Sequence, residues 1–162
     1  MRRFVLCLVV AAFSALVPGS ASAAQPVMTN YTQDYASPIT DVCAAAIGFS
    51  THLVITETDY FDANGAPTRQ YIHTVERDTF TGPARSLITD PYTYGVWFRL
   101  DASGNIVSGS AAGVTVRIHL PDGSLFLSAG LIILHPNEPV FIFGPDFGRS
   151  GNLGAFCSAL GA

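Results

Sequence analysis

Three short segments of this 162-residue chain have the composition of tight β-turns. The segments 61–65, 100–104 and 120–123 each follow an apolar stretch and contain an aspartate with a glycine shortly after it. Aspartate accepts hydrogen bonds from the backbone N–H groups just ahead of it, and glycine adopts the positive φ that chain reversal requires. The same segments begin like calcium-binding loops, but the glycine comes too early and the distal glutamate is missing. The segments therefore predict three β-hairpins.

The residues between these turns alternate between apolar and polar, as half-buried strands do. In 96–101, for example, the apolar Val96 and Phe98 alternate with Trp97 and Arg99. The same alternation runs through 53–58, 70–77 and 114–120.

Two later segments, 125–134 and 140–143, are more evenly apolar, as in strands covered on both faces, and residues 136–139 separate them with a turn. After the N-terminal apolar stretch, no segment has a clear helical period. The best helix candidate is the alanine-rich 41–47, which is only about two turns long.

The strand pattern predicts an all-β fold, and the need to protect the edge strands of its sheet decides the architecture. About six to eight antiparallel strands joined by hairpins hide their edges most completely when the sheet closes. A two-sheet sandwich satisfies the same pattern. Because the succession of hairpins is unbroken, the sequence predicts a hairpin-rich antiparallel β-barrel, with the β-sandwich as the alternative.

The N-terminus has the three parts of a signal peptide. Arg2 and Arg3 precede an apolar stretch at 4–17, and the small residues 21–23 provide a cleavage site. The apolar stretch is shorter than the roughly 20 residues that cross a bilayer. We expect a signal peptide at 1–23, a flexible segment at 24–40 and a single β-domain at 41–162. The expected location of the mature protein is extracellular, with no membrane span.

The cysteine count agrees with export. Cys7 leaves with the signal peptide, so that Cys43 and Cys157 remain in a chain bound for an oxidising compartment. A disulfide between them closes a loop of more than a hundred residues, which stabilises by about 4.7 kcal/mol in the chain-entropy model. The alternatives are two free thiols or a metal pair, but neither cysteine has a His or second Cys at ligand spacing. We therefore predict a disulfide and no metal site.

Composition excludes several classes of protein. The chain has 12 acidic and 8 basic residues, and all of the basic ones are arginines. Nucleic-acid binding depends on clustered Lys and Arg, so nucleic acid is not an expected partner. The apolar fraction of 49% excludes intrinsic disorder.

The order of these features resembles a known group of proteins. The shared features are the export signal, a cysteine before the first strand, turns such as 61–65, the segment 81–87, the 122–124 turn and the near-terminal Cys157. This arrangement resembles small exported proteins of high-GC Gram-positive (actinobacterial) bacteria. That group has no assigned activity, so the resemblance implies no functional residue.

Catalytic motifs are few. Common nucleophile, metalloprotease and phosphate-loop signatures are absent, and no cofactor is predicted. Folding of the first hairpin brings Glu57 beside His73 in one register, where a carboxylate orients the imidazole for acid–base work. Asp59, Tyr71 and Arg77 share that face in the same register. If the strand register shifts by one residue, the Glu57 and His73 side chains lie on opposite faces. The alternative interpretation of the pair is an ordinary solvated cross-strand contact without a catalytic role.

A second group of residues is a candidate binding site. Trp97, Arg99, Arg117 and His119 share the less apolar face of their strands if those strands pair. Arginines beside an indole suit a planar or anionic ligand when that face lines a pocket. If the face meets water instead, the group is a polar exterior.

Three function classes remain open. The first is a non-catalytic exported binding or interaction domain that holds a small apolar or anionic ligand or contacts a surface partner. The second is a barrel-type enzyme, such as an isomerase or cyclase, and the third is a structural component of the cell envelope. An enclosed cavity of at least about 300 Å³ lined by the Arg99 and Arg117 face would support the first two classes, whereas a barrel packed solid with apolar side chains would exclude a pocket and an enzyme.

Overall fold

The computed structural model describes residues 24–134, 139–143 and 153–162. The predicted signal peptide at 1–23 and most of the predicted turn at 136–139 lie outside these residues. The described secondary structure, in chain order, is β1 (Val27–Ile39), β2 (Ile47–Phe61), β3 (Pro67–Thr81), β4 (Ser86–Ile88), β5 (Tyr92–Leu100), β6 (Ile106–His119), β7 (Leu125–Leu134), β8 (Pro139–Phe143) and α1 (Leu153–Leu160).

The strands form one antiparallel sheet in the order β1-β2-β3-β5-β6-β7-β8, and β4 pairs with β3 beyond the start of β5. This arrangement confirms the all-β, hairpin-rich prediction. The predicted closure into a barrel is not confirmed. Among the described strands, β1 pairs only with β2 and β8 only with β7, so the described sheet is open.

The three predicted turns join β2 to β3, β5 to β6 and β6 to β7. Their glycines, Gly65, Gly104 and Gly123, have φ values of 82°, 86° and 84°. In the first turn, the Asp62 carboxylate accepts hydrogen bonds from the N–H groups of Asn64 and Ala66, at 2.8 and 2.9 Å. The prediction of three hairpins is confirmed, together with the predicted roles of aspartate as a hydrogen-bond acceptor and of glycine at positive φ.

These hydrogen bonds favour the ionised form of each turn aspartate. The N–H of Ala66 makes the largest contribution to lowering the pKa of Asp62. Asn105 lowers the pKa of Asp101 in the same way, and Ser124 lowers that of Asp122.

Side chains alternate between two faces of the sheet. We call the face that carries Ile55 and Phe80 the inner face, because α1 lies against it, and the face that carries His73 and Trp97 the outer face. Register shifts at Tyr60/Phe61 and at Arg99/Leu100 each insert one residue next to a turn. These bulges decide which residues share a face.

The apolar core lies at one end of the inner face, around α1. Phe80 of β3 and Phe126 of β7 both contact Phe156, with ring centroids 5.2 and 4.5 Å from its own. A flat sheet would separate β3 from β7 by about 14 Å, three strand spacings. The sheet therefore curls around the helix. The buried members of this core are Ile47, Phe80, Leu87, Ile118, Leu120, Phe126, Phe156 and Leu160.

The helix ends in a Schellman motif. The N–H of Ala162 donates to the Cys157 carbonyl at 3.0 Å, that of Gly161 donates to the Ser158 carbonyl at 3.1 Å, and Gly161 has a φ of 73°. The sequence prediction missed α1, because eight residues are too short for a clear helical period, although Gly161 is a recognisable stop signal.

The best helix candidate of the sequence, 41–47, does not form a helix. Residues 41–45 form bends, and Ile47 already begins β2. A helix this short is marginal without an apolar face to bury, and here tertiary packing places the helix elsewhere.

The expectation of a flexible segment at 24–40 is also corrected. Val27–Ile39 forms β1 and pairs with β2 along its whole length, from Val27↔Asp59 to Ile39↔Ile47. Its polar composition reflects an exposed edge strand, because residues 27–36 are all exposed.

The predicted disulfide is confirmed. Cys43, before β2, and Cys157, in α1, have an S–S distance of 2.00 Å and a Cα–Cα distance of 5.5 Å. The bond holds the helix against the start of the β2–β3 hairpin. Within the described part of the chain, no helix has the length and apolar character needed to cross a membrane.

Candidate functional site

The candidate catalytic pair is separated by the sheet. In the β2–β3 ladder Glu57 lies opposite Ile72, and His73 lies opposite Thr56, so the Glu57 and His73 side chains are on opposite faces. The bulge at Tyr60/Phe61 is the cause. Pairing continued without it from Phe61↔Pro67 would place Glu57 and His73 on one face.

The Glu57 carboxylate has other partners on the inner face. It accepts hydrogen bonds from the Tyr31 hydroxyl at 3.1 Å and from the Gln70 amide at 2.8 Å. Burial and this contact raise the pKa of Tyr31. Asp59 is on the inner face with Glu57, whereas Tyr71 and Arg77 are on the outer face with His73. The predicted five-residue group is therefore divided between two faces.

The second predicted group is divided along the sheet. Trp97 and Arg99 of β5 lie opposite Ser110 and Ser108 of β6. Arg117 is seven residues beyond Ser110, which corresponds to about 23 Å along a strand.

Arg117 and His119 contact Asp90 at the far end of β6. The Asp90 carboxylate is 3.8 Å from Arg117 Nε and 3.3 Å from His119 Nε2. All three side chains are at least half exposed. This is a surface ion pair, which contributes at most about 1 kcal/mol.

The structure surrounds Trp97 with aromatic rings that the sequence analysis did not group with it. The Tyr71 ring stacks on the indole with a centroid distance of 4.0 Å, and the Tyr60 ring lies 6.3 Å away. Gly95 makes this arrangement feasible, because a Cβ there would lie 2.8 Å from the Tyr71 hydroxyl oxygen. The indole remains 44% exposed.

Two arginines flank this aromatic cluster. Arg69 of β3 lies directly opposite Arg99 of β5, and both side chains are exposed. Like charges in directly opposite positions destabilise a sheet. Among the described residues, no carboxylate forms an ion pair with either guanidinium, and Arg69 instead lies 5.1 Å above the Tyr60 ring.

Arg69, Trp97 and Arg99 border a groove of about 310 Å³ on the outer face, which is open rather than an enclosed cavity and does not include Arg117. We call it the Trp97 groove. The small side chains of Ser108 and Ser110 leave space beside the indole and the Arg99 guanidinium. Its lining consists of Arg69, Trp97, Phe98, Arg99, Ser108, Gly109, Ser110 and Ile133. Stacking on the indole and charge pairing with two guanidinium groups suit a ligand that is both planar and anionic.

A larger open groove of about 570 Å³ lies at the other end of the outer face. Its lining includes Asp34, His52 and Arg77. The Asp34 carboxylate is 2.7 Å from His52 Nδ1, so these two residues of the lining are already partners of each other. A carboxylate in the lining also disfavours an anion.

A buried polar cluster occupies the inner face of β3. Asp78 is 1% exposed and accepts a hydrogen bond from the Tyr92 hydroxyl through Oδ2, while its Oδ1 has no partner among the described residues. Glu76, two residues earlier, accepts a hydrogen bond from Thr51 at 2.9 Å. The spacing Glu76–Arg77–Asp78 could have indicated this cluster, because residues i and i+2 of a strand share a face.

Burial and the negative charge of Asp78 raise the pKa of Glu76. Burial and Glu76 raise the pKa of Tyr94 to about 12, and burial with the Asp78 contact raises that of Tyr92 further. A carboxyl group with a raised pKa beside a carboxylate can share a proton with it. Asp78 is enclosed, and its hydrogen bond with Tyr92 connects β3 to β5, whereas Glu76 and Tyr94 are half-buried.

Sequence reasoning found Trp97 and Arg99 but missed Arg69 and Tyr60, and it placed Tyr71 with the Glu57–His73 pair instead of beside Trp97. The alternation of Arg69 and Tyr71 on β3 places them on one face, and that signal was available. Their position beside Trp97 depends on the β3–β5 register, which the sequence does not specify.

Within the described residues, no group of three or more His, Cys, Asp or Glu side chains is arranged to hold a metal ion. Comparison of the chain with protein-family models, with curated proteins and with solved structures found no match.

Proposed function

We propose that this protein is an exported, non-catalytic binding domain that takes a small planar anion in the Trp97 groove. The observation that carries the proposal is the Arg69–Arg99 pair, two exposed guanidinium groups in directly opposite positions without a described carboxylate partner. In a chain with 12 acidic and 8 basic residues, acidic partners are plentiful elsewhere. An anionic ligand supplies the missing charge.

The aromatic cluster defines the rest of the ligand. The indole is held by stacking against Tyr71 and keeps 44% of its surface exposed. A planar ring gains stacking energy there without a new side-chain ordering cost. The proposed ligand class is therefore an aromatic carboxylate, with its ring at Trp97 and its carboxylate between the two guanidinium groups.

Export is part of the proposal. The Cys43–Cys157 disulfide supports it, because disulfides persist in oxidising compartments outside the cytoplasm.

The position of the candidate catalytic pair supports the non-catalytic part of the proposal. Glu57 and His73, the pair that an acid–base enzyme would need, lie on opposite faces of the sheet.

An NMR titration tests the proposal. The chain contains a single tryptophan, so one indole N–H resonance reports on the groove. We expect 1-naphthoate to shift this resonance with saturation, and its neutral amide to bind at least about tenfold more weakly, since charge-assisted hydrogen bonds are roughly twice as strong as neutral ones.

The variants Arg69→Gln and Arg99→Gln should each weaken naphthoate binding at least about fivefold. Arg117→Gln is the matched control, since it removes the same charge at the far end of β6 and should leave the affinity unchanged. Equal affinity for acid and amide, or an equal loss in Arg117→Gln, would overturn the proposal.

A further inference from the structure

The outer edge of β1 is the longest open edge of the described sheet. β1 has 13 residues, whereas β8 at the opposite edge has five. No described strand lies beside β1 on the side away from β2. Four large apolar or aromatic side chains of this strand are exposed: Val27 (52%), Met28 (65%), Tyr31 (40%) and Tyr35 (52%).

Open edges of this length are usually protected. Proteins protect them with lysines, inward-pointing charges, bulges or a proline within the edge. β1 has no lysine, its pairing with β2 has no register shift, Asp34 is the one charged residue within it, and its one proline, Pro38, lies near its C-terminal end. Residues 28–36 therefore lack these protective features, and no described strand occupies their outer side.

Pro38 shows which residues of β1 direct their backbone groups outward. It lies within the ladder, opposite Gly48, yet it has no N–H to donate. A proline in a paired strand faces its nitrogen away from the neighbour. Because hydrogen-bonding direction alternates along an antiparallel strand, the even-numbered residues from Met28 to Ala36 also point their N–H and C=O groups outward.

The outward-facing stretch is symmetric about Thr32. Pro26 and Pro38, both without N–H, stand six residues before and six residues after it. In antiparallel self-pairing centred on Thr32, the two prolines lie opposite each other outside the ladder. The outward N–H groups of the even-numbered residues from Met28 to Ala36 then each meet a carbonyl of the second copy.

Side chains also match in this register. Asn30 lies opposite Asp34 of the second copy. Its Oδ1 already accepts a hydrogen bond from Thr56 at 2.7 Å, which leaves its amide N–H groups for that carboxylate. His52 occupies only one oxygen of Asp34, at 2.7 Å. On the inner face, the exposed Tyr35 lies opposite Thr29, an aromatic and β-branched pair of the kind that stabilises sheets.

We propose that the chain forms a two-fold symmetric dimer in which β1 pairs antiparallel with β1 of a second copy, centred on Thr32. The dimer continues the sheet across the two copies and covers the exposed tyrosines. It is independent of the ligand proposed above, because the Trp97 groove is formed by β3, β5, β6 and β7.

Cysteine cross-linking tests the register. Two directly opposite residues of a hydrogen-bonded pair have a Cα–Cα distance of about 5.5 Å, which a disulfide can bridge. Oxidised Thr32→Cys should therefore give a covalent dimer by intact mass. Met28→Cys should not, because its two copies would lie about 27 Å apart along the strands. Equal cross-linking of both variants, or of neither, would overturn the proposed axis.

A charge variant tests the interface without a covalent trap. Thr32→Lys places two like charges opposite each other and should weaken dimerisation at least about tenfold in analytical ultracentrifugation from about 5 to 500 μM. Val54→Lys is the matched control, since Val54 lies opposite Thr32 one strand inward and is 45% exposed. The control should dimerise like the native chain. A native chain that stays monomeric throughout, or equal dimerisation of both variants, contradicts the proposal, and the cross-linking readout applies even if Thr32→Lys fails to fold.

Discussion

The two ends of the sheet have different compositions and, we infer, different tasks. At the helix end, the strands curl around α1, and Phe156 and Leu160 are 2% and 0% exposed. At the turn end, where the Gly65 and Gly104 turns lie, the sheet carries an exposed Trp97 beside two arginines. Both ends contain clusters of aromatic rings, but only the first cluster is enclosed.

The difference shows what an aromatic cluster can do. Around Phe156 the rings are buried, and their contribution is stability. Around Trp97 the rings stack on each other but leave a surface open, so that they remain available to a ligand. Substitutions at the helix end should therefore change the free energy of unfolding, while those in the groove should change affinity.

The largest expected effect is at the helix end. Phe156→Ala removes the ring that Phe80 and Phe126 contact, and should lower the free energy of unfolding by about 3–5 kcal/mol in urea denaturation. At temperatures where the variant is folded, its affinity for naphthoate should equal that of the native chain. A loss of affinity in the folded variant would mean that the two ends are not separate.

A smaller effect is expected between the ends, at the buried Asp78. Tyr92→Phe removes the hydroxyl that donates to this carboxylate, and should cost about 1–3 kcal/mol because a buried acceptor loses its donor. Tyr35→Phe is the control, since Tyr35 is 52% exposed and its hydroxyl has no described hydrogen bond. Equal effects of the two substitutions on urea unfolding would show that the Asp78 contact does not stabilise the sheet.

The smallest effects concern pH, and they have opposite signs. The lowered pKa values of Asp62, Asp101 and Asp122 mean that their contribution to stability is present above their ordinary pKa and is lost as the pH falls through the folded values. The raised pKa of Glu76 means that its contribution is present below its ordinary pKa of 4.5 and is lost as the pH rises through the folded value.

Urea unfolding from about pH 3 to pH 8 separates these contributions. Glu76→Gln should gain stability relative to the native chain as the pH rises above 4.5. Asp62→Asn keeps the side-chain oxygen that accepts the turn hydrogen bonds. It should lose stability relative to the native chain as the pH rises over the same range. Parallel pH profiles for the two variants would contradict the assignment.

The local turns of this fold and one long-range link, the disulfide, were predictable, whereas the helix and the strand registers were not. The hairpin turns follow from Asp and Gly at fixed offsets, since their hydrogen bonds span only two to four residues. The disulfide was predictable because only two cysteines follow the predicted export signal. The helix was missed because its stability comes from packing against Phe80 and Phe126 rather than from its own eight residues.

The candidate site shows the same limit. One inserted residue at Tyr60/Phe61 moves Glu57 away from His73, and nothing in the alternation of β2 or β3 specifies that insertion. Trp97 and Arg99 were found because they share one strand. Arg69 and Tyr71 join them only through the β3–β5 register.

The disulfide also limits the effect of proteolytic cleavage, because it decides whether the fragments separate. Cys43 and Cys157 are separated by 114 positions, and the exposed residues of all three hairpin turns lie between them. A single cut at any of these turns leaves two fragments that are still covalently joined, and neither fragment can diffuse away. In an environment rich in proteases, a cut chain therefore keeps its two parts joined.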